Sequence, residues 1–251
     1  MSGAGAFSAR IDALIVQHGL AHAQYIVDGA PHREYSIKMA RGGIDADRVN
    51  VGFVAKHVTP GFLRDLAALA GPRADNVERF FTEAAGGASL IGISHSGGGI
   101  EAYAETRADG RFAVGRVRAY DAGKDERTTY DEVFARRAVA AVYELYRDTL
   151  DGALYHAFID VVPMRDCHNI YVHRHPNIAL GCQFAPAGKP IVGEALPRLM
   201  ALARACGADT AATEAYLRDR ADHALAWVGL YIHNDGSAIL KYYVRPPAPL
   251  I

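Results

Sequence analysis

Two short segments of this sequence alternate so that cations and tyrosine fall on one side. Residues 112–120 read FAVGRVRAY and residues 239–245 read ILKYYVR. Successive side chains of an extended strand point to opposite faces, so each segment has one polar face and one small or apolar face. The polar faces carry Arg116, Arg118, Tyr120, Lys241, Tyr243 and Arg245. This pattern predicts barrel strands with an apolar outside covered by helices and a cationic, aromatic lumen.

The same alternation in other strand-like segments predicts a lumen that is polar and aromatic throughout. Its further side chains are expected to be Glu101, Tyr103, Glu105, His156, Phe158, Asp160, Asn169, Tyr171, His173, Trp227, Gly229, Tyr231 and His233. Converging Arg and Lys side chains bind polyanions such as a diphosphate. The negative faces of tyrosine rings can shelter a cation. The predicted lumen therefore suits an anionic ligand and a sheltered positive charge.

Strand-like and helix-like segments alternate, mostly as hairpin, helix and hairpin. Strands are predicted at 35–41, 48–57, 89–95, 100–107, 111–120, 154–162, 168–175, 177–185, 189–194, 224–233 and 237–245. Helices are predicted at 8–19, 60–70, 75–85, 130–150, 196–206 and 211–222. Closing about ten antiparallel strands into a barrel removes exposed edges and leaves an interior wide enough for a ligand. The expected fold class is α/β, with residues 1–251 forming one barrel domain surrounded by helices.

Composition narrows the class of protein. The chain has 251 residues, a formal net charge of -1 and 50% hydrophobic residues, which suits one large globular domain. The balanced charge argues against a general nucleic-acid binder. Three widely spaced cysteines fit neither a disulfide framework nor a CxxC metal site. With no signal peptide and no membrane-spanning stretch recognised, the sequence predicts a cytoplasmic protein with no membrane insertion.

Four local segments, taken in order, resemble one known family. They are Glu34-Tyr-Ser-Ile-Lys38, Arg116-Val-Arg118-Ala-Tyr120, Ile170-Tyr171-Val172, and Trp227-Val-Gly229 followed by Ile239-Leu-Lys-Tyr-Tyr243. Together they resemble the strand motifs of the ABBA prenyltransferases, whose helices wrap a ten-stranded antiparallel barrel. Within that fold the sequence is most similar to the cyanobactin-type peptide prenyltransferases.

The resemblance implies transfer of an isoprenyl group, dimethylallyl or geranyl, from its diphosphate to a peptide or amino-acid side chain. Such an enzyme would modify ribosomal peptides, with a small aromatic acceptor as the main variant. Family members typically use Mg²⁺ bound through the donor diphosphate. Glu34 matches the family's acidic residue near the acceptor and would be the general base.

The resemblance and the alternating pattern together give a set of site residues. The diphosphate is expected on Lys38, Arg48, Arg116, Arg118, Lys241 and Arg245, of which Arg48, Arg116, Arg118 and Lys241 match the family's cations. The aromatic shield and acceptor pocket are expected from Tyr103, Tyr120, Tyr171, His173, Trp227, Tyr231 and Tyr243, of which Tyr120, Tyr171 and Tyr243 match its shielding tyrosines.

Some features depart from the family. The chain is shorter than usual. The fourth predicted hairpin reads Pro190-Ile-Val-Gly where members often carry a Tyr-Tyr pair, and residues 89–99 have no clear counterpart. The donor length and the acceptor therefore stay open at this point. So does the ordinary interpretation of Arg116 and Arg118 as residues on a solvated sheet face.

Three other functions are consistent with parts of the sequence. His173 and His175, with Asp160 and His156 on the neighbouring predicted strand, could bind a transition metal. The run Ser94-His95-Ser96-Gly97-Gly98 resembles a nucleophile elbow, but that motif needs a strand, a turn and a helix, and an alternating strand follows here. A non-catalytic barrel for a phosphorylated or isoprenoid ligand would use the same cations and rings without needing a base at Glu34.

Overall fold

The structure is a computed structural model that describes residues 3–27, 30–40, 43–97, 99–107, 113–133 and 136–247. The α-helices are α1 (Gly3–Gln17), α2 (Pro60–Ala68), α3 (Ala74–Ala85), α4 (Arg136–Thr149), α5 (Gly152–Val161), α6 (Val192–Ala205) and α7 (Thr210–Arg218). The strands are β1 (Ile26–Val27), β2 (Ala30–Pro31), β3 (Arg33–Ala40), β4 (Gly43–Val54), β5 (Leu90–Ser96), β6 (Gly99–Arg107), β7 (Ala113–Asp121), β8 (Glu126–Val133), β9 (Cys167–Arg174), β10 (Ile178–Pro186), β11 (Ala224–His233) and β12 (Ala238–Arg245).

The strands β3 to β12 form a closed antiparallel barrel, and β1 and β2 pair separately as a short ribbon. Each barrel strand pairs with its neighbours in sequence, and β12 pairs with β3 to close the ring. The ten-stranded antiparallel barrel predicted from the sequence is therefore confirmed. The extra strand predicted at 89–95 is β5, which pairs with both β4 and β6.

The hydrophobic core lies between the barrel and the helices. On one side, α4 to α7 cover outward side chains of β9 to β12, with Tyr146, Phe158 and Phe184 in mutual ring contact. On the other side, α1 to α3 cover β4 to β6, where Phe53 packs edge-on against Phe62. Because the apolar faces of the strands pack outward against helices, their polar faces are left to line the lumen.

Within the described ranges, no helix pair is inserted in the connection from β6 to β7 or from β7 to β8. Helix pairs occupy the connections from β4 to β5, from β8 to β9 and from β10 to β11. Only residues 108–112 separate β6 from β7, and these lie outside the described ranges, as does the turn that the sequence Ala108-Asp109-Gly110 predicts. On the outside of β7 and β8, Arg116 and Arg127 are exposed, whereas Tyr120 packs against α3.

The prediction of a strand at 154–162 is wrong, because this segment belongs to helix α5. Asp151 caps this helix by accepting a hydrogen bond from the Leu154 backbone N–H at 2.9 Å. Leu154, Phe158 and Val161 are its buried residues, which is a helical spacing. Phe158 belongs to the outer core, and His156 and Asp160 lie on a helix outside the barrel rather than in the lumen.

Two further boundaries differ from the prediction. The helix expected at 130–150 begins instead as strand β8, and α4 follows it. Residues 189–194 do not form a strand, because only Ile191 makes an isolated bridge, to Ala224, before α6 begins. As a result β9 pairs with β8 and β10, not with 154–162. The number of predicted strands is close to the number observed, because the two wrongly predicted strands are partly offset by β8, which was not predicted.

Candidate functional site

The barrel lumen contains two cavities that share lining residues. The first, which we call the Glu34 chamber, has a volume of about 420 Å³ and includes Glu34, Arg48, Tyr103, Tyr171, Trp227 and Tyr243 in its wall. The second, which we call the histidine chamber, has a volume of about 310 Å³ and includes Lys38, Asp121, His173, His175, Tyr231 and His233. Glu101, Tyr130 and Lys241 line both. The two chambers are therefore neighbouring parts of one lumen.

Most of the residues predicted for the site face this lumen. These are Glu34, Lys38, Arg48, Tyr103, Tyr171, His173, Trp227, Tyr231, Lys241, Tyr243 and Arg245. They come from six different strands, so the barrel brings together side chains that are far apart in sequence. Tyr130, on the strand that the sequence prediction missed, lies among them.

Arg116 and Arg118 were predicted to bind the diphosphate, and this placement is wrong. Arg116 is 53% exposed on the outside of the barrel, with Nε 2.8 Å from Asp131 Oδ1. Arg118 lines an outer groove that also includes Phe80 on α3. Val117 and Ala119 face the lumen instead. The alternation was recognised correctly, but its polar face is the outer one because no helix pair of the described residues covers this part of the sheet.

Tyr120 shares that outward orientation, so its predicted role in the lumen is also wrong. The Tyr120 hydroxyl donates a hydrogen bond to Asp125 Oδ1 at 2.6 Å and accepts one from Asn76 Nδ2 at 3.1 Å. Its ring stacks on Phe80 with centroids 6.3 Å apart. Tyr120 therefore anchors helix α3 to strand β7.

Glu34 is a buried carboxylate with three neighbours that stabilise its charge. Trp227 Nε1 donates to Glu34 Oε1 at 3.2 Å, Arg245 Nη2 donates to the same oxygen, and His32 Nε2 lies 3.6 Å from it. Burial alone would raise the pKa of Glu34, but Arg245 and His32 outweigh burial and hold the pKa at about 2. Glu34 is therefore ionised throughout the physiological pH range.

His32 was not predicted as a site residue. It lines the Glu34 chamber, and its side chain is only 10% exposed. It precedes Glu34 by two positions, so it shares the alternation of Glu34 and Lys38. That spacing could have indicated His32, but the resemblance to known strand motifs begins only at Glu34.

Cations meet where the two chambers join. Lys241 lies directly opposite Lys38 on the paired strands β12 and β3. Burial lowers the pKa of Lys241 to about 7, with repulsion from Arg48 and Lys38 adding to the effect and Glu101 opposing it. Within the described ranges no carboxylate oxygen lies within 4.0 Å of Lys241 Nζ. Buried charges are ordinarily paired, so this grouping is suited to an anionic ligand.

Arg48 adds to this grouping from strand β4. Arg48 Nη1 lies 3.3 Å from Asp45 Oδ2. Its Nε is buried and makes no hydrogen bond to any residue in the described part of the chain. An unpaired guanidinium donor costs free energy in an interior unless a ligand accepts from it. Arg48 and Lys241 together therefore form the best candidate for binding a diphosphate.

Aromatic side chains form much of the remaining wall. Tyr171 and Trp227 are in contact with ring centroids 5.0 Å apart. Gln183 Nε2 donates to the hydroxyl of Tyr231 at 2.9 Å and to that of Tyr243 at 3.3 Å. Lys241 Nζ lies 4.9 Å from the centroid of Tyr231. The Tyr231 ring thus contacts a cation in this structure, and such rings could equally face a cationic ligand.

No protein-family model matches this chain, and a search of curated proteins returns no significant match. Solved structures do match it. PriB, in a binary complex with product diphosphate, aligns with a TM-score of 0.60 and 15% identity over 98% of this chain and 94% of PriB. The 5-dimethylallyl tryptophan synthase of Streptomyces coelicolor, in complex with DMASPP and Trp, aligns with a TM-score of 0.55 and 12% identity over 91% of this chain and 84% of the synthase. The chain has the ABBA prenyltransferase fold.

Glycines in the wall of this ABBA barrel make room for the rings. A Cβ added at Gly92 would lie 2.1 Å from the ring of Tyr103, and one at Gly229 would lie 2.9 Å from that of Tyr231. Each ring therefore lies flat over a glycine in the barrel wall. This arrangement keeps the lumen open although the wall is lined with large side chains.

Replacing Gly92 with Ala is expected to destabilise the barrel by about 1–3 kcal/mol, because the new methyl group cannot coexist with the Tyr103 ring. Tyr103 would also lose the hydrogen bond that it donates to the Val51 carbonyl at 3.1 Å. Urea denaturation measures the change. Gly87→Ala is the matched control, since a Cβ there has no heavy atom within 4 Å. Equal midpoints for both variants would contradict the packing of Tyr103 over Gly92.

Two of the alternative functions lose their structural basis in this barrel. In the described part of the chain no group of three His, Cys, Asp or Glu residues is arranged to hold a metal ion. His173 instead stacks on Tyr130 with centroids 4.2 Å apart. Ser94 lies within strand β5, and β5 pairs directly with β6 rather than leading into a helix. The nucleophile elbow of a hydrolase is therefore not formed.

None of the helices in the described ranges combines the length and the apolar character needed to cross a bilayer.

Proposed function

We propose that this barrel transfers an isoprenyl group from an allylic diphosphate to a nucleophilic acceptor. The observation that carries the proposal is Lys241, a partly buried cation beside Arg48 with no carboxylate partner within 4.0 Å among the described residues, inside an aromatic lumen. Two neighbours in fold support it, since PriB holds product diphosphate and the tryptophan synthase holds DMASPP with Trp.

The cations would bind the diphosphate and promote its departure. Arg48, Lys38 and Lys241 approach the same region from three adjacent strands. As the bond between the allylic carbon and oxygen breaks, negative charge grows on the leaving oxygens. Fixed cations in a dry lumen stabilise that charge without having to reorganise. Arg245 is less available for this role because it binds Glu34.

The aromatic wall would protect the allylic cation. Tyr103, Tyr171, Tyr243 and Trp227 enclose the Glu34 chamber. Their π faces are negative and can stabilise the positive charge, while their bulk keeps out water that would capture the cation. Tyr231 already contacts Lys241, so it lies at the boundary between the diphosphate and the isoprenyl group.

The acceptor would enter the Glu34 chamber. Its anionic wall at Glu34 suits a group that donates a hydrogen bond, such as an indole N–H or a phenol. We propose an aromatic side chain of a peptide, as in ribosomal peptide modification, or a small aromatic compound. The donor would carry a dimethylallyl or geranyl group. The cysteines are free thiols, which agrees with a reaction in the reducing cytoplasm.

A Mg²⁺ ion could accompany the donor. Glu101 and Asp121 are paired neighbours on β6 and β7, and both line the histidine chamber beside Lys241. Carboxylate oxygens together with substrate phosphates are usual ligands of Mg²⁺. When bound, the ion would neutralise the diphosphate oxygens. Two carboxylates alone make a weak site, so the ion would arrive with the diphosphate.

The test is calorimetry with non-hydrolysable dimethylallyl and geranyl diphosphate analogues, each with and without Mg²⁺. Saturable binding to the unmodified chain is expected, and the tighter analogue identifies the donor. Turnover assays with tyrosine- and tryptophan-containing peptides and with the free amino acids then identify the acceptor. If neither analogue binds, the proposal is wrong.

Donor binding should take up a proton at Lys241. Its pKa lies at about 7 in the free barrel, so part of the population is neutral at about pH 8. An anion beside the ammonium group favours the charged form and raises this pKa. Calorimetry at that pH in buffers of different ionisation enthalpy should therefore show net proton uptake. Lys241→Arg should bind without it, because arginine stays protonated.

A further inference from the structure

A second titratable side chain lies against Glu34. His32 immediately precedes strand β3, and its side chain is buried in the wall of the Glu34 chamber. Backbone hydrogen bonds fix its position, since His32 N donates to Tyr25 O at 2.6 Å and Tyr25 N donates to Gly52 O at 3.0 Å. His32 is therefore held on the barrel as firmly as a strand residue.

The two ring nitrogens of His32 have different surroundings. Nε2 lies 3.6 Å from Glu34 Oε1. Nδ1 is buried and has no hydrogen-bond partner among the residues that the structure describes. It lies above Gly52, where an added Cβ would be 2.9 Å from Nδ1. With the proton on Nε2, directed at the carboxylate, Nδ1 keeps a lone pair and can accept a proton.

Glu34 itself is poorly suited to accept a proton. Trp227 and Arg245 both donate to its Oε1. These contacts and His32 keep the pKa of Glu34 at about 2, so a proton placed on it is held weakly. A carboxylate in this state is better at orienting an imidazole and stabilising its positive form.

We propose that His32 Nδ1, oriented by Glu34, accepts the proton that the acceptor loses during prenyl transfer; this inference rests on the function proposed above. The bond between the isoprenyl carbon and the acceptor forms as the carbon–oxygen bond to the diphosphate breaks, and that electron pair leaves with the diphosphate. The acceptor's proton passes to Nδ1, and the electrons of its bond stay on the acceptor. Glu34 balances the resulting imidazolium.

Several charged and titratable groups surround this imidazole. Glu34 faces it from β3 and Arg245 contributes from β12 through the shared carboxylate. The Tyr25 ring lies 5.8 Å away, and the Tyr103 hydroxyl approaches Gly52 from β6. The nearest charge is the Glu34 carboxylate, which would balance the imidazolium that forms when Nδ1 accepts the proton.

The test compares His32→Ala and His32→Gln with the unmodified chain. Turnover is expected to fall by about 100-fold or more in both, while the Kd for the donor analogue stays unchanged. Added imidazole should restore part of the rate to His32→Ala. Thermal denaturation establishes that each variant is folded, and Gln retains most of the ring's volume if Ala does not fold.

His57→Ala is the control, because His57 is exposed outside the lumen. This variant should leave turnover unchanged. Retained kcat in His32→Gln would overturn the inference while leaving prenyl transfer established. Failure of the unmodified chain to bind or consume any allylic diphosphate would instead refute the proposed function. The two failures are therefore distinguishable.

Discussion

Replacing Lys241 with Met is expected to weaken binding of an isoprenyl diphosphate by roughly 10–100-fold, because a charge-assisted hydrogen bond contributes about 1.5–3 kcal/mol. Arg48→Met should have an effect of similar size, since its Nε is buried with no partner in the described part of the chain. Calorimetry with the donor analogue measures both. Arg48 repels Lys241 in the lumen, so loss of Lys241 should not destabilise the fold.

Arg116→Met is the matched control for these variants. It removes a cation from the segment that the sequence placed in the lumen, but the structure places Arg116 outside, paired with Asp131. Donor affinity should be unchanged. A loss in Arg116→Met equal to that in Lys241→Met would show that the diphosphate binds on the outer face of β7.

Removing Glu34 should destabilise the fold more than replacing Gly92 or either of the two lumen cations. Glu34→Met leaves Arg245 buried without its carboxylate, and breaking a buried pair from one side costs about 3–5 kcal/mol. Adding Arg245→Met should recover much of that loss, because two apolar side chains of similar length can replace a buried pair. Urea denaturation of the single and double variants measures both quantities.

An exposed ion pair provides the comparison. Arg127 and Glu83 lie 3.0 Å apart and are 56% and 45% exposed, so Glu83→Met should cost at most about 1 kcal/mol. A loss of that small size in Glu34→Met would contradict the view that Glu34 and Arg245 form a tightly coupled buried pair.

Lowering the pH should remove the stabilisation that the Glu34–Arg245 pair gives to the fold. The pKa of Glu34 is lowered from 4.5 to about 2 in the folded chain, so the unfolded chain binds its proton more readily. The stabilisation from Glu34 is therefore complete above about pH 4.5 and is lost as the pH falls toward 2. Between these values Glu34→Met should lose less stability than the unmodified chain, which denaturation at stepped pH can measure.

Strand alternation allowed the barrel to be predicted. β11 and β12 have one face for the lumen and one for the helices, so period-two alternation fixed their position and their polar side chains. Lys241 and Tyr243 were found in this way, whereas Glu34 was found through the resemblance to known strand motifs. Local alternation cannot say which side of a strand becomes the inside, and it failed at Arg116 for that reason.

The remaining errors have identifiable physical causes. Leu154–Val162 is rich in residues that suit either a strand or a buried helix, and its helical cap at Asp151 was overlooked. Strand β8 carries Glu126, Arg127 and Asp131, so its hydrophobic signal is weak. His32 lies just before a recognised motif. For β8 the deciding interaction is its pairing with β7 and β9, which no local pattern shows.

Because β7 and β8 have less helical cover among the described residues, we expect them to open locally more easily than the rest of the barrel. β7 and β8 have the same backbone ladder as the other strands, but on their outer face Asp131 pairs with Arg116 and Arg174, where the other hairpins have apolar side chains packed under helices. Ion pairs at a surface hold less firmly than buried hydrocarbon. Amide hydrogens of β7 and β8 should therefore exchange before those of β11 and β12, and added salt should hasten them. Opening of these least protected strands would give solvent a route to the lumen through the barrel wall, in addition to the two ends of the barrel.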